Sequence, residues 1–264
     1  MFAKLTLATV ASMVVATAAM AQDKAVRMGT EGYYPPFNFF DSAGQIKGFD
    51  IDIGNALCAR MEVTCEWVTT DWDGIIPALN SDKFDTIIAS MTITDERSKV
   101  VSFSDPYYFN SVRFVAAKGH GLSGAMPADL SGMIVGTQSA TGEVDILEQY
   151  FPDSELKLYP KLDDALLDME TGRVDLVLAS QFVLGDWLKS DEGSCCEFVG
   201  ETFIPDFAKG TGIAVRQDDT ELRDALNKAL AEIVADGTYG NIRDQYFSFD
   251  IMTQPQKTSE LFGN

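Results

Sequence analysis

A single histidine, His120, stands among 264 residues, and the four cysteines include no pair at metal-ligand spacing. A metal centre is thereby disfavoured, and no cofactor is expected. Basic residues are scarce: 20 Lys and Arg face 40 Asp and Glu, for a formal net charge of -20. Nucleic acid needs a basic footprint, so that class of partner is excluded. A field of this sign favours cationic solutes over anionic ones, within the roughly 8–10 Å that salt leaves unscreened. After the first residues no apolar run approaches the ~18 residues of a membrane span, and no tandem repeat or low-complexity stretch is visible.

The first residues themselves, MFAKLTLATVASMVVATAAMA, carry one lysine, an apolar run and Ala19-Met20-Ala21. This pattern predicts a secretory signal peptide over residues 1–21, cleaved after Ala21, and no cysteine follows that could take a lipid. The mature chain is expected to be a soluble exported protein of one large domain or two ordinary ones. Cys58 and Cys65, in LCARMEVTC, sit at the end of a predicted helix and inside the next strand. A staple between them suits an oxidising compartment and is worth about 2–3 kcal/mol. Cys195 and Cys196 are adjacent, and a vicinal disulfide, two thiols or an external partner are all open.

One stretch organises the rest. In DTIIASMTITDER, Thr86 to Ala89 read as a short buried strand and Thr94-Asp95-Glu96 as a helix start. Ser90, Thr92 and Arg97 then meet at the mouth of a strand-to-helix turn, where open α/β sheets bind ligands. A guanidinium there can grip a carboxylate through two parallel hydrogen bonds. The competing reading is a surface ion pair between Arg97 and Asp95 or Glu96.

Around it the chain alternates strand and helix. AVRMGT reads as a strand, followed by the aromatic loop EGYYPPFNFF. GFDIDIGNALCARM reads as a helix with Asp50 placed to cap it and Ile53, Leu57 and Met61 on one face. VTCEWVT is the next strand, and Trp72 stands before a helix in DWDGIIPAL. The alternation predicts a parallel sheet covered on both faces. It then starts afresh with MIVGT, SATGEVDILEQYF, KLDDALLDMETG and VDLVLAS, which predicts a second α/β lobe across a cleft. TELRDALNKALAEIVADG is an amphipathic helix lined by Leu222, Leu226, Leu230 and Ile233 and stopped by Gly237.

The segments GFDIDIGNALC, ITDERSKVVSFSDPYY, VGTQSATGE, GRVDLVLAS and ELRDALNKALAEIVADGTYGNI, in this order, resemble the family-3 extracellular solute-binding proteins that serve ABC importers for polar amino acids. The resemblance implies the two-lobed type II periplasmic binding protein fold: 22–110 in lobe one, 111–208 in lobe two and 209–264 back in lobe one. Two hinge strands would cross near Phe109–Val112 and Pro205–Thr211. It implies a monomer in the periplasm, a small-molecule ligand, and the importer's membrane subunits as partners.

Within the family the chain is most similar to the lysine, arginine, ornithine and histidine binders and to octopine and nopaline binders. That likeness implies that Arg97 takes the ligand's α-carboxylate, with contacts from Ala89, Ser90 and Thr92. Glu31 would receive the cationic end, Tyr34 would pack against the ligand, and Trp72 would stand where opine binders carry tryptophan. On the second lobe the turn Gln138 to Gly142, including Thr141, would offer N–H groups at a helix start. Ser180 stands where basic amino-acid binders carry an aspartate for the α-ammonium, and with Gln181 forms a Ser-Gln pair as in opine binders. Arginine, ornithine, lysine and arginine-derived opines therefore stay together as expected ligands. The competing class is an enzyme, since periplasmic cyclohexadienyl dehydratases share the fold.

Overall fold

The computed structural model describes residues 24–253 and 256–263; the signal-peptide segment 1–21 lies outside the described residues. Two five-stranded sheets form two lobes. In spatial order the first holds Thr64–Thr69, Ala25–Thr30, Thr86–Ile87, Ala214–Val215 and Ser102–Phe103. The second holds Glu155–Tyr159, Ile134–Gln138, Leu176–Ser180, Val112–Ala117 and Cys196–Phe203. Among the described residues no helix is long and apolar enough to cross a membrane.

Neither sheet is purely parallel, as the alternation alone predicted. In each, three parallel strands are followed by an antiparallel one, Ala214–Val215 in the first and Val112–Ala117 in the second. Both antiparallel strands come directly after a crossing between lobes. A strand entering from the hinge must run away from the cleft, whereas the parallel strands point their carboxyl ends into it. The crossings themselves pair: Thr211 N donates to Tyr108 O at 2.8 Å and Tyr107 N to Thr211 O at 2.9 Å.

The helix Phe49–Met61 shows how local sequence sets this geometry. Ile53 and Leu57 are buried in the core shared with the helix Thr220–Ala235, where Leu226, Leu230 and Ile233 are also buried, and Met61 and Leu222 pack at its edge. Gly237, with φ of 84°, follows the second helix in the left-handed region that glycine tolerates. Gly48 caps the first helix at φ 123°, and a Cβ there would sit 2.2 Å from Phe37 O, so no other residue fits. Asp50, expected as a cap, instead turns inward and is fully buried. Cys58 and Cys65 are bonded across a Cα separation of 5.8 Å, tying the helix end to the next strand. Cys195 and Cys196 are joined to each other.

One departure concerns the end of the chain. Phe262, in the helix Thr258–Phe262, packs edge-on against Phe151 and Phe203 of the second lobe, with ring centroids 5.1 and 4.9 Å away. Asp206 fixes this helix start by accepting from Ser259 N at 2.8 Å. The helix Thr258–Phe262, within the segment 209–264 expected in the first lobe, thus packs on the second.

Candidate functional site

The loops at the carboxyl ends of the parallel strands face each other across a half-enclosed cavity. From the first lobe it is lined by Glu31, Tyr34, Trp72, Ala89, Ser90, Thr92 and Arg97, and from the second by Gln138, Thr141 and Gly142. Ten of the twelve residues singled out in the sequence therefore meet at one cavity. Asn110 and Glu143 complete the lining and were not foreseen.

Arg97 does not form the surface ion pair that its neighbours offered. Asp95 pairs with Lys209 and Glu96 with Lys99. The strand before Arg97 is only Thr86–Ile87, and the expected helix is a single 3-10 turn, Arg97–Lys99, with Thr94 Oγ1 accepting from Arg97 N at 3.1 Å. The guanidinium is thereby turned to the cavity, with Nη1 donating to Thr92 O at 2.9 Å and Nη2 to Ala140 O at 3.0 Å. Its centre lies over the Trp72 ring, 5.4 Å from the centroid, a distance at which cation–π attraction operates. The cation on the Trp72 ring is Arg97. Burial lowers the Arg97 pKa, against the opposing charges of Glu143 and Asp145.

Two residues in these loops hold left-handed backbone without being glycine: Ser90 at φ 54° and Ala140 at φ 56°. Such conformations cost roughly 1–3 kcal/mol and persist where the surroundings enforce them. At Ala140 the enforcement is visible, because its carbonyl accepts both from Arg97 and from Trp72 Nε1 at 3.2 Å. At Ser90 the hydroxyl donates to Asp50 Oδ2 at 3.0 Å. The same oxygen accepts from Asn38 Nδ2 at 2.9 Å, and Asp50 Oδ1 accepts from Tyr107 OH at 2.7 Å. Asn38 Oδ1 in turn accepts from Gly32 N at 2.8 Å, so one buried carboxylate steadies both the Glu31 loop and the Ser90 loop.

Glu31 is buried, with Oε1 accepting from Gln138 Nε2 at 2.8 Å. Desolvation pushes its pKa up to about 7, with Gln138 opposing. The charges acting on it are those of Asp163, Lys161 and Asp71, whereas Glu143 and Asp145 act on Arg97. Tyr34 stacks on Phe37 with centroids 6.0 Å apart, and burial drives its phenol pKa well up.

On the second lobe Thr141 occupies the cap position of the helix Gly142–Tyr150, but its hydroxyl donates back to Gln138 O at 2.7 Å. Its side chain leaves the first N–H groups of the helix uncapped, where they suit an anion. Ser180 and Gln181 stand behind the wall. Ser180 Oγ donates to Asn110 Oδ1 at 2.6 Å and caps the next helix at Phe182 N; Gln181 binds Ser111 and Thr202. Asn110 takes the position on the cavity. Its signal was its place in the predicted crossing, since hinge residues border the cleft.

The chain is 42% identical over 250 residues to the L-arginine-binding protein of Pseudomonas aeruginosa, covering 93% of this chain and 96% of that one. It is 38% identical over 237 residues to the lysine/arginine/ornithine-binding periplasmic protein of Escherichia coli, covering 88% and 90%. Among solved structures, an ancestral arginine-binding protein bound to arginine matches with a TM-score of 0.79 and 38% identity, over 85% of this chain and 98% of that one. Residues 26–249 match the model of one family, and the chain belongs to it: the bacterial extracellular solute-binding proteins, family 3.

Proposed function

We propose that this chain is the periplasmic substrate-binding component of an ABC importer, and that its cavity takes a cationic amino acid (arginine, ornithine or lysine) or an arginine-derived opine. The observation that carries this is the division of charge in one cavity: a guanidinium at Arg97, a buried carboxylate at Glu31, and the rings of Trp72 and Tyr34 on its walls. A ligand with a carboxylate at one end and a cation at the other is complementary to both. Charge-assisted hydrogen bonds of this kind contribute about 1.5–3 kcal/mol each. The names of the relatives support the same ligand class.

In this reading Arg97 holds the α-carboxylate with help from the Ala89–Thr92 loop and the start of the helix Gly142–Tyr150. Glu31 holds the side-chain cation. The paired crossings act as the hinge, closing the lobes on the ligand, and the importer's membrane subunits receive the closed monomer. Residues 1–21 direct export. No bond of the ligand is broken, so the chain is a receptor and not a catalyst.

A thermal-shift screen over basic amino acids, opines and neutral amino acids tests the proposal. A ligand at 100 times its Kd stabilises by about 2.7 kcal/mol, and the expected responders are the basic compounds. A response confined to neutral or acidic amino acids overturns it. So does conversion of prephenate to phenylpyruvate, which would make the chain a dehydratase.

A further inference from the structure

Glu143 is the second carboxylate of the cavity. Three charged residues line it, Glu31, Glu143 and Arg97, and neither acid is ion-paired with a Lys or Arg among the described residues. The lining is therefore one cation against two anions. We infer that Glu143 binds the α-ammonium of the ligand, and that the site is built for a free basic amino acid, with two cationic groups and one carboxylate, over an opine that carries a second carboxylate. This rests on the reading of the cavity as a cationic amino-acid site.

Position supports the assignment. Glu143 lies in the first turn of the helix Gly142–Tyr150, and its charge is the leading one acting on Arg97. An α-ammonium is attached to the carbon next to the carboxylate, so a ligand gripped by Arg97 presents its ammonium close to that acid. The remaining polar side chains of the lining, among them Ser90, Thr92, Asn110, Gln138 and Thr141, are neutral. Asn110 Oδ1 accepts from Ser180, which occupies one of its two lone pairs. Ser180 and Asn110 are both neutral and supply no charge to offset an ammonium taken out of water.

Desolvation raises the Glu143 pKa even against its own backbone N–H, Thr141 and Arg97, all of which favour the charged form. A cation placed beside it would restore the charged form. An opine bears its extra carboxylate on a substituent of the same nitrogen, and that carboxylate would come to rest beside Glu143, where like charges repel. An acid in a first helical turn also complements the helix dipole, but that effect is the same whichever ligand is present.

The distinction is read by calorimetry with three guanidino acids: L-arginine, 5-guanidinopentanoate, which lacks the α-ammonium, and Nα-(1-carboxyethyl)-L-arginine. The wild type is expected to prefer arginine over both by roughly 10- to 100-fold, the equivalent of one charge-assisted contact. In Glu143→Gln, arginine should lose that factor, 5-guanidinopentanoate should hold within about twofold, and the carboxyethyl compound should close the gap. Equal losses for arginine and 5-guanidinopentanoate would reveal a merely structural role and overturn the inference. Wild-type affinity for the carboxyethyl compound matching that for arginine would do the same. Failure of the wild type to bind any of the three would overturn the cavity reading as well, whereas strong arginine binding undiminished in Glu143→Gln would overturn the role of Glu143 alone.

Discussion

Gln138 Nε2 donates to Glu31 Oε1 over 2.8 Å, joining the second lobe to the first through the acid that is to receive the ligand's cation. A single neutral donor offsets only part of the desolvation of a buried carboxylate, and the Glu31 pKa accordingly stands at about 7. The empty site therefore takes up a proton as pH falls through 7.

Binding of a guanidinium or ammonium requires the charged form of Glu31 and expels that proton. Affinity for arginine should accordingly be flat above pH 7 and fall below it, by at most about tenfold per pH unit for one proton. In Glu31→Gln arginine binding should be weaker and this portion of the pH dependence should vanish. Glu143, also raised by desolvation, adds its own dependence in both proteins, so the difference between the two profiles isolates Glu31. Calorimetry from pH 5.5 to 8 is the measurement, and parallel profiles would remove Glu31 from the cation site.

Arg97 is the only cation on the cavity wall among the described residues. Arg97→Ala should lower affinity for arginine and lysine at least 100-fold, the equivalent of two charge-assisted hydrogen bonds at the low end of their range. Agmatine, which keeps the guanidinium but has no carboxylate, should lose far less. Arg97→Lys should recover little, because a point charge does not reproduce the planar fork. Equal losses for agmatine and arginine would place the carboxylate elsewhere.

How far the sequence reveals this molecule depends on the range over which each feature is decided. The helix Thr220–Ala235 is written in its own 3.6-residue period, and Arg97 drew notice because strand-end loops are where ligands meet α/β sheets, whereas Glu31 was marked only by the family resemblance. Strand direction was not, since Val112–Ala117 and Ala214–Val215 run antiparallel only because each enters from the hinge. Glu143 lies just past the turn Gln138 to Gly142 that the sequence singled out, and only the facing lobe makes it a wall of the cavity. Asp50 passed for a cap, and only the fold brings Asn38, Ser90 and Tyr107 to it. Ser180 stood at the expected strand end, but a neighbour from the crossing, Asn110, covers it.

Asp50 is the residue whose loss should damage stability and binding together. Its two oxygens accept from three donors, and Asp50→Asn replaces one oxygen with a donor facing them. A hydrogen bond to a charged acceptor is worth about 1.5–3 kcal/mol, so losing one or more of them is costly. A Tm drop with weaker arginine binding is expected, because Ser90 loses the bond that holds its left-handed turn. Desolvation raises the Asp50 pKa to about 6, above the unfolded value near 3.9. The folded state thus holds the extra proton between those values, and this group's contribution favours folding as pH falls from 6 toward 4. Asp50→Asn should lose that component of the stability profile; an unchanged Tm would contradict the network's role.

Trp72 makes two contacts, one across the cleft and one within its own lobe, that substitution can separate. Its Nε1 donates to Ala140 O, and its ring lies beneath the Arg97 guanidinium. Trp72→Phe keeps a ring under Arg97 and removes the donor, leaving Arg97 Nη2 as the bond on that carbonyl; one neutral hydrogen bond is worth about 0.5–1.5 kcal/mol, or roughly 2- to 13-fold in Kd. Trp72→Leu removes the ring as well and adds the loss of a cation–π contact of about 2 kcal/mol at a desolvated site. The affinity for arginine should therefore step down from wild type to phenylalanine to leucine, with the larger step at the second change. If phenylalanine were as damaging as leucine, the bond to the left-handed carbonyl of Ala140 would outweigh the ring, and closure of the lobes would depend on that bond more than on the aromatic wall.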